Sequence, residues 1–145
     1  DLLSNAFSLR GQFEFLCPGA GETERAAERL GIGGLLDARP ADLSSGERRR
    51  AELAFAMLRR PVCLLADEPL RNVSPIDGEI LLGVFAEMAK AGCAVVITGH
   101  EVPAILAAVN HVTWCTAGTT YEMGPPFMAR TDERFVRDYL GSRGG

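Results

Sequence analysis

With 145 residues, 47% of them hydrophobic, the chain can bury one sizeable core, and its composition excludes a disordered or fibrous protein. A formal charge of −4 and an isoelectric point near 5.2 exclude a broad nucleic-acid surface, since the local run Arg48-Arg49-Arg50 reads as one solvated turn of a helix. Apolar stretches such as Val102–Val109 fall short of the roughly 18 residues that a membrane helix needs, so membrane association is expected only through a partner.

From Ser8 to Leu16 an amphipathic stretch predicts a short helix that breaks at Cys17-Pro18-Gly19, and a second helical pattern runs from Glu22 to Leu30 before Gly31. Residues 31–43, with several glycines and Pro40, read as a turn-rich connector. Ser44 and Glu47 then form an S-x-x-E capping box, in which the serine oxygen and the glutamate carboxylate satisfy opposite free N–H groups at a helix start. The helix is expected to reach about Arg60, burying Leu53, Ala54, Met57 and Leu58 and turning Arg48 to Arg50 and Arg59 outward.

Val62–Ala66 and Cys93–Thr98 are continuous apolar runs, the pattern of strands buried on both faces of a parallel sheet. Between them, Ser74-Pro75-Ile76-Asp77 starts a helix with proline at its first position, and Ile80, Leu81, Val84, Phe85 and Met88 form its inner stripe. Strand, helix and strand make one crossover unit. A helix at about Val102–Val109, two short strands at Val112–Thr116 and Thr119–Met123 around Ala117-Gly118, and a closing helix near Asp132–Leu140 complete the chain. Cys17, Cys63, Cys93 and Cys115 show no C-x-x-C spacing, and three of them fall in the apolar runs, where cysteine acts as a small buried hydrophobe. A reducing setting is therefore expected. The chain opens at Asp1 with neither methionine nor a signal-peptide pattern and reads as a piece of a longer product.

Ligands of an open parallel sheet collect at the carboxyl ends of its strands. Asp67 and Glu68 end one strand and His100 follows a second, so the three side chains are expected to share one edge. That set suits nucleotide hydrolysis: an aspartate for magnesium, a glutamate to orient and deprotonate water, and a histidine to steady the water and the γ-phosphate. Singly, acids at a strand end, a lone histidine and a capping box each have plainer structural readings. Their occurrence in this order argues for chemistry. No Gly-Lys-Ser/Thr phosphate loop accompanies them, because the only lysine, Lys90, follows Ala89.

The ordered set resembles the nucleotide-binding subunits of ATP-binding cassette (ABC) transporters over nearly the whole chain. Leu43-Ser44-Ser45-Gly46-Glu47 is similar to the family signature, Cys63 to Pro69 to the Walker B strand with its catalytic glutamate, and His100 to the switch histidine. Gly46 to Arg50 and Asp138 to Gly141 look closest to the branch of lipopolysaccharide-export and branched-chain amino-acid ATPases.

The resemblance implies an α/β fold: the RecA-like parallel sheet of a P-loop NTPase, flanked by helices, with an α-helical signature subdomain at residues 1–60, a core portion at residues 61–145 and the N-terminal part of the fold absent. It implies ATP and Mg2+ as cofactors. Asp67 would hold the metal, Glu68 and His100 would act in catalysis, and Ser44, Ser45, Gly46 and Glu47 would face the ATP of a second ATPase subunit in a head-to-tail dimer. It further implies a transmembrane permease as partner and a peripheral place on the cytoplasmic face of the cell membrane. Departures are Ser45 at a usual glycine, expected near the phosphate with its backbone donor kept, Ala66 at a usual leucine, and Ser74 at the D-loop aspartate, for which Asp77 one turn on reads either as a substitute carboxylate or, more simply, as the acid of a second cap. Gln12 is not matched to the Q-loop. Two other readings stay open. One is a degenerate cassette that lends only its signature face to a competent partner. The other, a cassette acting in DNA repair or translation, is disfavoured by the lack of a long heptad pattern.

Overall fold

The computed structural model describes residues 2–17, 19 and 21–141; Asp1 and Pro18, named above, lie outside them. The chain divides into two units, one reaching to Thr98 and one starting at Gly99.

The first unit opens with helix α1 (Leu9–Leu16), started by Ser8, whose hydroxyl accepts the Gly11 N–H at 3.3 Å. Leu9 and Phe13, four residues apart on one helical face, are fully buried. Helix α2 (Glu22–Arg29) carries Glu22 and Glu24 in its first turn and Arg29 in its last, matching the helix dipole at both ends. Two single turns of 3-10 helix, Gly33–Leu35 and Pro40–Asp42, fill the expected connector and deliver the chain to α3 (Ser45–Leu58). Helix α3 packs against α1, α2 and α4 (Pro75–Lys90) through Ala51, Leu53, Ala54 and Leu58. From α4 come Leu81, Val84, Phe85 and Met88, four of the five predicted stripe positions, with Ile80 half-buried at the rim.

Strands β1 (Cys63–Ala66) and β2 (Ala94–Ile97) pair in parallel, in register from Cys63 opposite Ala94 to Ala66 opposite Ile97. The parallel pairing is as expected, but burial on both faces is not: exposed and half-buried residues alternate, with Leu65 75% and Val96 52% exposed. The cause is the extent of the sheet. Among the described residues it has two strands, α4 packs along β2, and the outward positions carry no second layer. Cys63 is accordingly exposed; Cys93, just before β2, is half-buried, and Cys115, on the hairpin of the second unit, is exposed as well, which corrects the expectation of three buried thiols.

The second unit comprises α5 (Val102–Ala108), the antiparallel hairpin β3 (Val112–Thr116) and β4 (Thr119–Gly124), α6 (Pro126–Ala129) and α7 (Glu133–Phe135). Ala117 and Gly118 close the hairpin with φ of 47° and 73°, the paired left-handed values of a tight turn that follows strand twist. Val102, Leu106, Trp114, Ala129 and Phe135 form its core, with Phe135 edge-on to Trp114 at 5.6 Å. The predicted closing helix is α7, capped by Asp132, continued as a π turn over Val136–Leu140. No helix among the described residues is long and apolar enough to cross a membrane.

Candidate functional site

The β1–β2 register that sets Ala66 opposite Ile97 brings the next residues, Asp67 and Thr98, together beyond the strand ends. The Thr98 hydroxyl donates to Asp67 Oδ1 and accepts the Glu68 N–H at 3.0 Å, so one side chain holds the carboxylate of one acid and the backbone of the other. Glu68 sits at φ +44°, a conformation that non-glycine residues seldom adopt and that collects at functional sites. Its Oε2 lies 3.0 Å from Arg71 Nη1, and the Arg71 N–H donates to the Glu68 carbonyl at 3.1 Å, closing the turn. The donor set is one aspartate and one hydroxyl at an open strand end, and no cluster of three or more His, Cys, Asp or Glu suited to a metal occurs among the described residues. Hard oxygen donors in small number fit Mg2+, which keeps most of its waters and takes its other ligands from phosphates.

The second locus is the start of α3. Both halves of the predicted capping box are formed: the Glu47 N–H donates to Ser44 Oγ at 3.3 Å, and Glu47 Oε2 accepts the Ser44 N–H at 2.8 Å. The Ser44 hydroxyl also donates to that carboxylate at 2.6 Å, and this bond, with the backbone one, holds the Glu47 carboxyl below the usual glutamate range. At the first two helical positions, the Ser45 and Gly46 N–H groups have no carbonyl a turn earlier in the helix to bond. Such an end attracts phosphate.

The Ser45 Oγ donates to the Asn72 carbonyl at 3.1 Å, so the extra side chain ties the helix start to the segment after the acidic turn. Gly46 is buried against Asp77, and a Cβ there would lie 2.8 Å from Asp77 Cγ. Ser74 caps α4 as predicted, accepting the Asp77 N–H at 3.1 Å and donating to Asp77 Oδ2 at 2.7 Å. The other carboxylate oxygen of Asp77 pairs with Arg50 Nε at 3.0 Å. Arg50 also donates to the Leu30 and Gly31 carbonyls at 3.0 and 3.2 Å, so its outward placement is corrected: it lies inside, one turn beyond Gly46 on the buried face.

His100, the second residue of the second unit, has its side chain 65% exposed, its ring Nε2 3.6 Å from Glu101 Oε1 and its N–H donating to Glu101 Oε2 at 3.3 Å. The first unit thus brings Asp67 and Glu68 together through Thr98, and brings Ser44 to Glu47 together with Ser74 and Asp77. Thr98, Arg50, Asn72 and Arg71 were not foreseen. For Thr98 the signal was its place at the end of the neighbouring strand, and for Arg50 its four-residue spacing from a helical glycine.

A family model described as "ABC transporter" matches residues 7–71, which carry both the capped helix and the strand-end acids. The lipopolysaccharide export system ATP-binding protein LptB of Haemophilus influenzae is 31% identical over 122 residues, covering 84% of this chain and 51% of that protein. The molybdenum import ATP-binding protein ModC of Paramagnetospirillum magneticum is 34% identical over 125 residues, covering 81% of this chain and 34% of that protein. The chain therefore spans a third to a half of the length of these curated relatives. Among solved structures, cbiO1 of Clostridium perfringens, part of the ABC transporter complex cbiONQ, superposes with a TM-score of 0.75 at 21% identity over 94% of this chain and 57% of that one. MJ1267, an ATP-binding cassette of an ABC transporter in its ADP conformation, gives 0.73 at 18% identity over 94% and 63%. The structural likeness establishes the P-loop NTPase fold of ABC ATPase domains, and with the sequence matches through the signature-like helix and the acidic strand end, the chain belongs to the ABC transporter ATP-binding family.

Proposed function

We propose that this chain is the signature-bearing and Walker B part of an ATPase that drives a separate transmembrane permease from the cytoplasmic face of the membrane. Residues 1–60 would serve as the helical subdomain and residues 61–145 as part of the catalytic core. The observation that carries this reading is the Thr98 clasp, which orients two acids of different role at one strand end. Asp67 carries the oxygen donor suited to Mg2+, which when bound with ATP neutralises charge on the phosphates. Glu68 takes the proton of the attacking water, and the turn that fixes its backbone limits how far its carboxylate can wander. His100 steadies the water and γ-phosphate. Ser44, Ser45, Gly46 and Glu47 serve the ATP of a second ATPase subunit through the backbone donors at the start of α3, with Ser74 at the D-loop position. The test is Glu68→Gln in the full-length protein: ATP binding is retained and steady-state turnover is lost. Undiminished hydrolysis would reject the assignment.

A second reading, a degenerate cassette that lends only its signature face to a competent partner, is favoured by one observation: Ser74, where the family carries an acid, is spent on capping α4. A full-length protein that binds ATP, never hydrolyses it, and activates a partner ATPase would select this reading.

A further inference from the structure

We propose that Asp77, together with Ser45, joins the signature helix to the segment after the acidic turn as one rigid piece, and that Asp77 is thereby a positioning residue for the phosphate-facing end of α3. The inference rests on the functional reading above and goes beyond it, since that reading gives Asp77 only a helix cap.

Three contacts carry it. The Arg50–Asp77 pair, at 3.0 Å, joins α3 to α4 with side chains only 15% and 19% exposed, so it is shielded from water far more than an ordinary surface pair. The Ser45 hydroxyl on the Asn72 carbonyl, at 3.1 Å, joins the first turn of α3 to residues 68–74. Gly46 lies so close to the Asp77 carboxylate that no side chain fits between the two helix starts. Asp77 meets its partners at once: the Ser74 hydroxyl on one carboxylate oxygen, Arg50 on the other, and the carboxylate occupies the space a Cβ at Gly46 would need. Arg50 extends the link to the carbonyls that end α2. The charged groups around Asp77 are thus Arg50 in the pair and Glu47, and the like charge of Asp77 opposes the downward shift of the Glu47 carboxyl.

The chain from Glu68 to Ser74 begins at the acid that activates water and ends at the cap of α4, and both clasps fasten it to the signature helix. Two sets of groups that act on nucleotide are in this way held in fixed relation within one subunit. Ser74 brings a hydroxyl to the cap and no carboxylate; Asp77 supplies one from the next turn and directs it inward, at Arg50 and Gly46.

The experiment uses the full-length protein and reads three quantities: equilibrium ATP affinity, kcat, and melting temperature. Asp77→Asn keeps the size and the cap but lowers the charge. It is expected to leave ATP affinity within twofold and to lower kcat by about tenfold or more, as misplacement of a positioned group does. Asp77→Glu, which restores the charge, should recover part of the loss. Ser45→Gly, which leaves the Ser44 cap intact, should show a smaller kcat loss at an unchanged far-UV circular dichroism spectrum, and combined with Asp77→Asn the losses should be less than multiplicative because both act on one coupled piece. Unchanged kcat in Asp77→Asn, or losses at positions 45 and 77 that simply multiply, would overturn the proposal. The failure is separable from that of the functional reading: if Glu68→Gln abolishes turnover while Asp77→Asn does not lower it, the ATPase assignment stands and the positioning role falls.

Discussion

Gly46→Ala is the perturbation for which the structure and simple helix propensity give opposite signs. Alanine in place of glycine stabilises a helix interior by about 1 kcal/mol when nothing else changes, and that is the upper bound at the second position of α3. Here the new Cβ would lie 2.8 Å from Asp77 Cγ and nearer still to one carboxylate oxygen, so the Asp77 side chain must move. Moving it breaks the pair with Arg50 and the bond from the Ser74 hydroxyl, both to a charged group. Charge-assisted contacts of this kind, partly shielded, contribute about 2–3 kcal/mol together. The propensity gain offsets part of that loss, and the net expectation is a destabilisation of about 1–2 kcal/mol, or roughly 2–8 °C in melting temperature for a chain of this size class. Thermal and urea unfolding followed by circular dichroism measures it. In an Asp77→Ala background the obstruction is gone, and the same Gly46→Ala change should become neutral or stabilising by up to about 1 kcal/mol. A Gly46→Ala protein as stable as the parent or more so, with no difference between the two backgrounds, would refute the close approach.

Two further outcomes follow from single contacts. Thr98→Val keeps the shape of the side chain but removes both the donor to Asp67 and the acceptor for the Glu68 N–H, so on the proposed function the full-length protein should lose about tenfold in kcat or more while Thr98→Ser retains most of it. The Glu47 carboxyl, held low first by the Ser44 hydroxyl and then by the Ser44 N–H, contributes stability that is fully present above the unfolded glutamate value near about pH 4.3 and is lost as pH falls below it. Melting curves between neutral and acid pH should therefore fall less steeply for Glu47→Gln than for the parent.

The elements that were legible in the sequence are those set by local chemistry. Ser44 with Glu47, and Ser74 with Pro75, announced helix starts because a short polar side chain followed by an acid three residues on satisfies orphan N–H groups wherever it occurs. Leu81, Val84, Phe85 and Met88 marked the inner face of α4 by period alone. Burial of the strands was misread, since a continuous run such as Val62 to Ala66 reports suitability for burial on two faces, not the presence of covering layers. Arg50 was misread for a different reason. It was grouped with Arg48 and Arg49 as a charged run, whereas helical geometry places it one turn from Gly46, on the face that meets α4. Thr98 is placed by the sequence at the end of the neighbouring strand, but its pairing with Asp67 and Glu68 depends on strand register, which a single sequence does not display. The candidate site was thus readable as residue types in order, and its clasping contacts were not.

On the proposed function, the strand-end acids of one subunit and the start of its helix α3 act on two different nucleotides. Complementation between two inactive full-length variants tests it most directly: Ser44→Arg, which blocks the start of α3, mixed in equal amounts with Glu68→Gln, which lacks the base. In a mixed dimer one of the two sites joins an intact acid pair to an intact signature, and with half of the dimers mixed the activity should return to about a quarter of the parent's. A mixture as inactive as its components would contradict the claim.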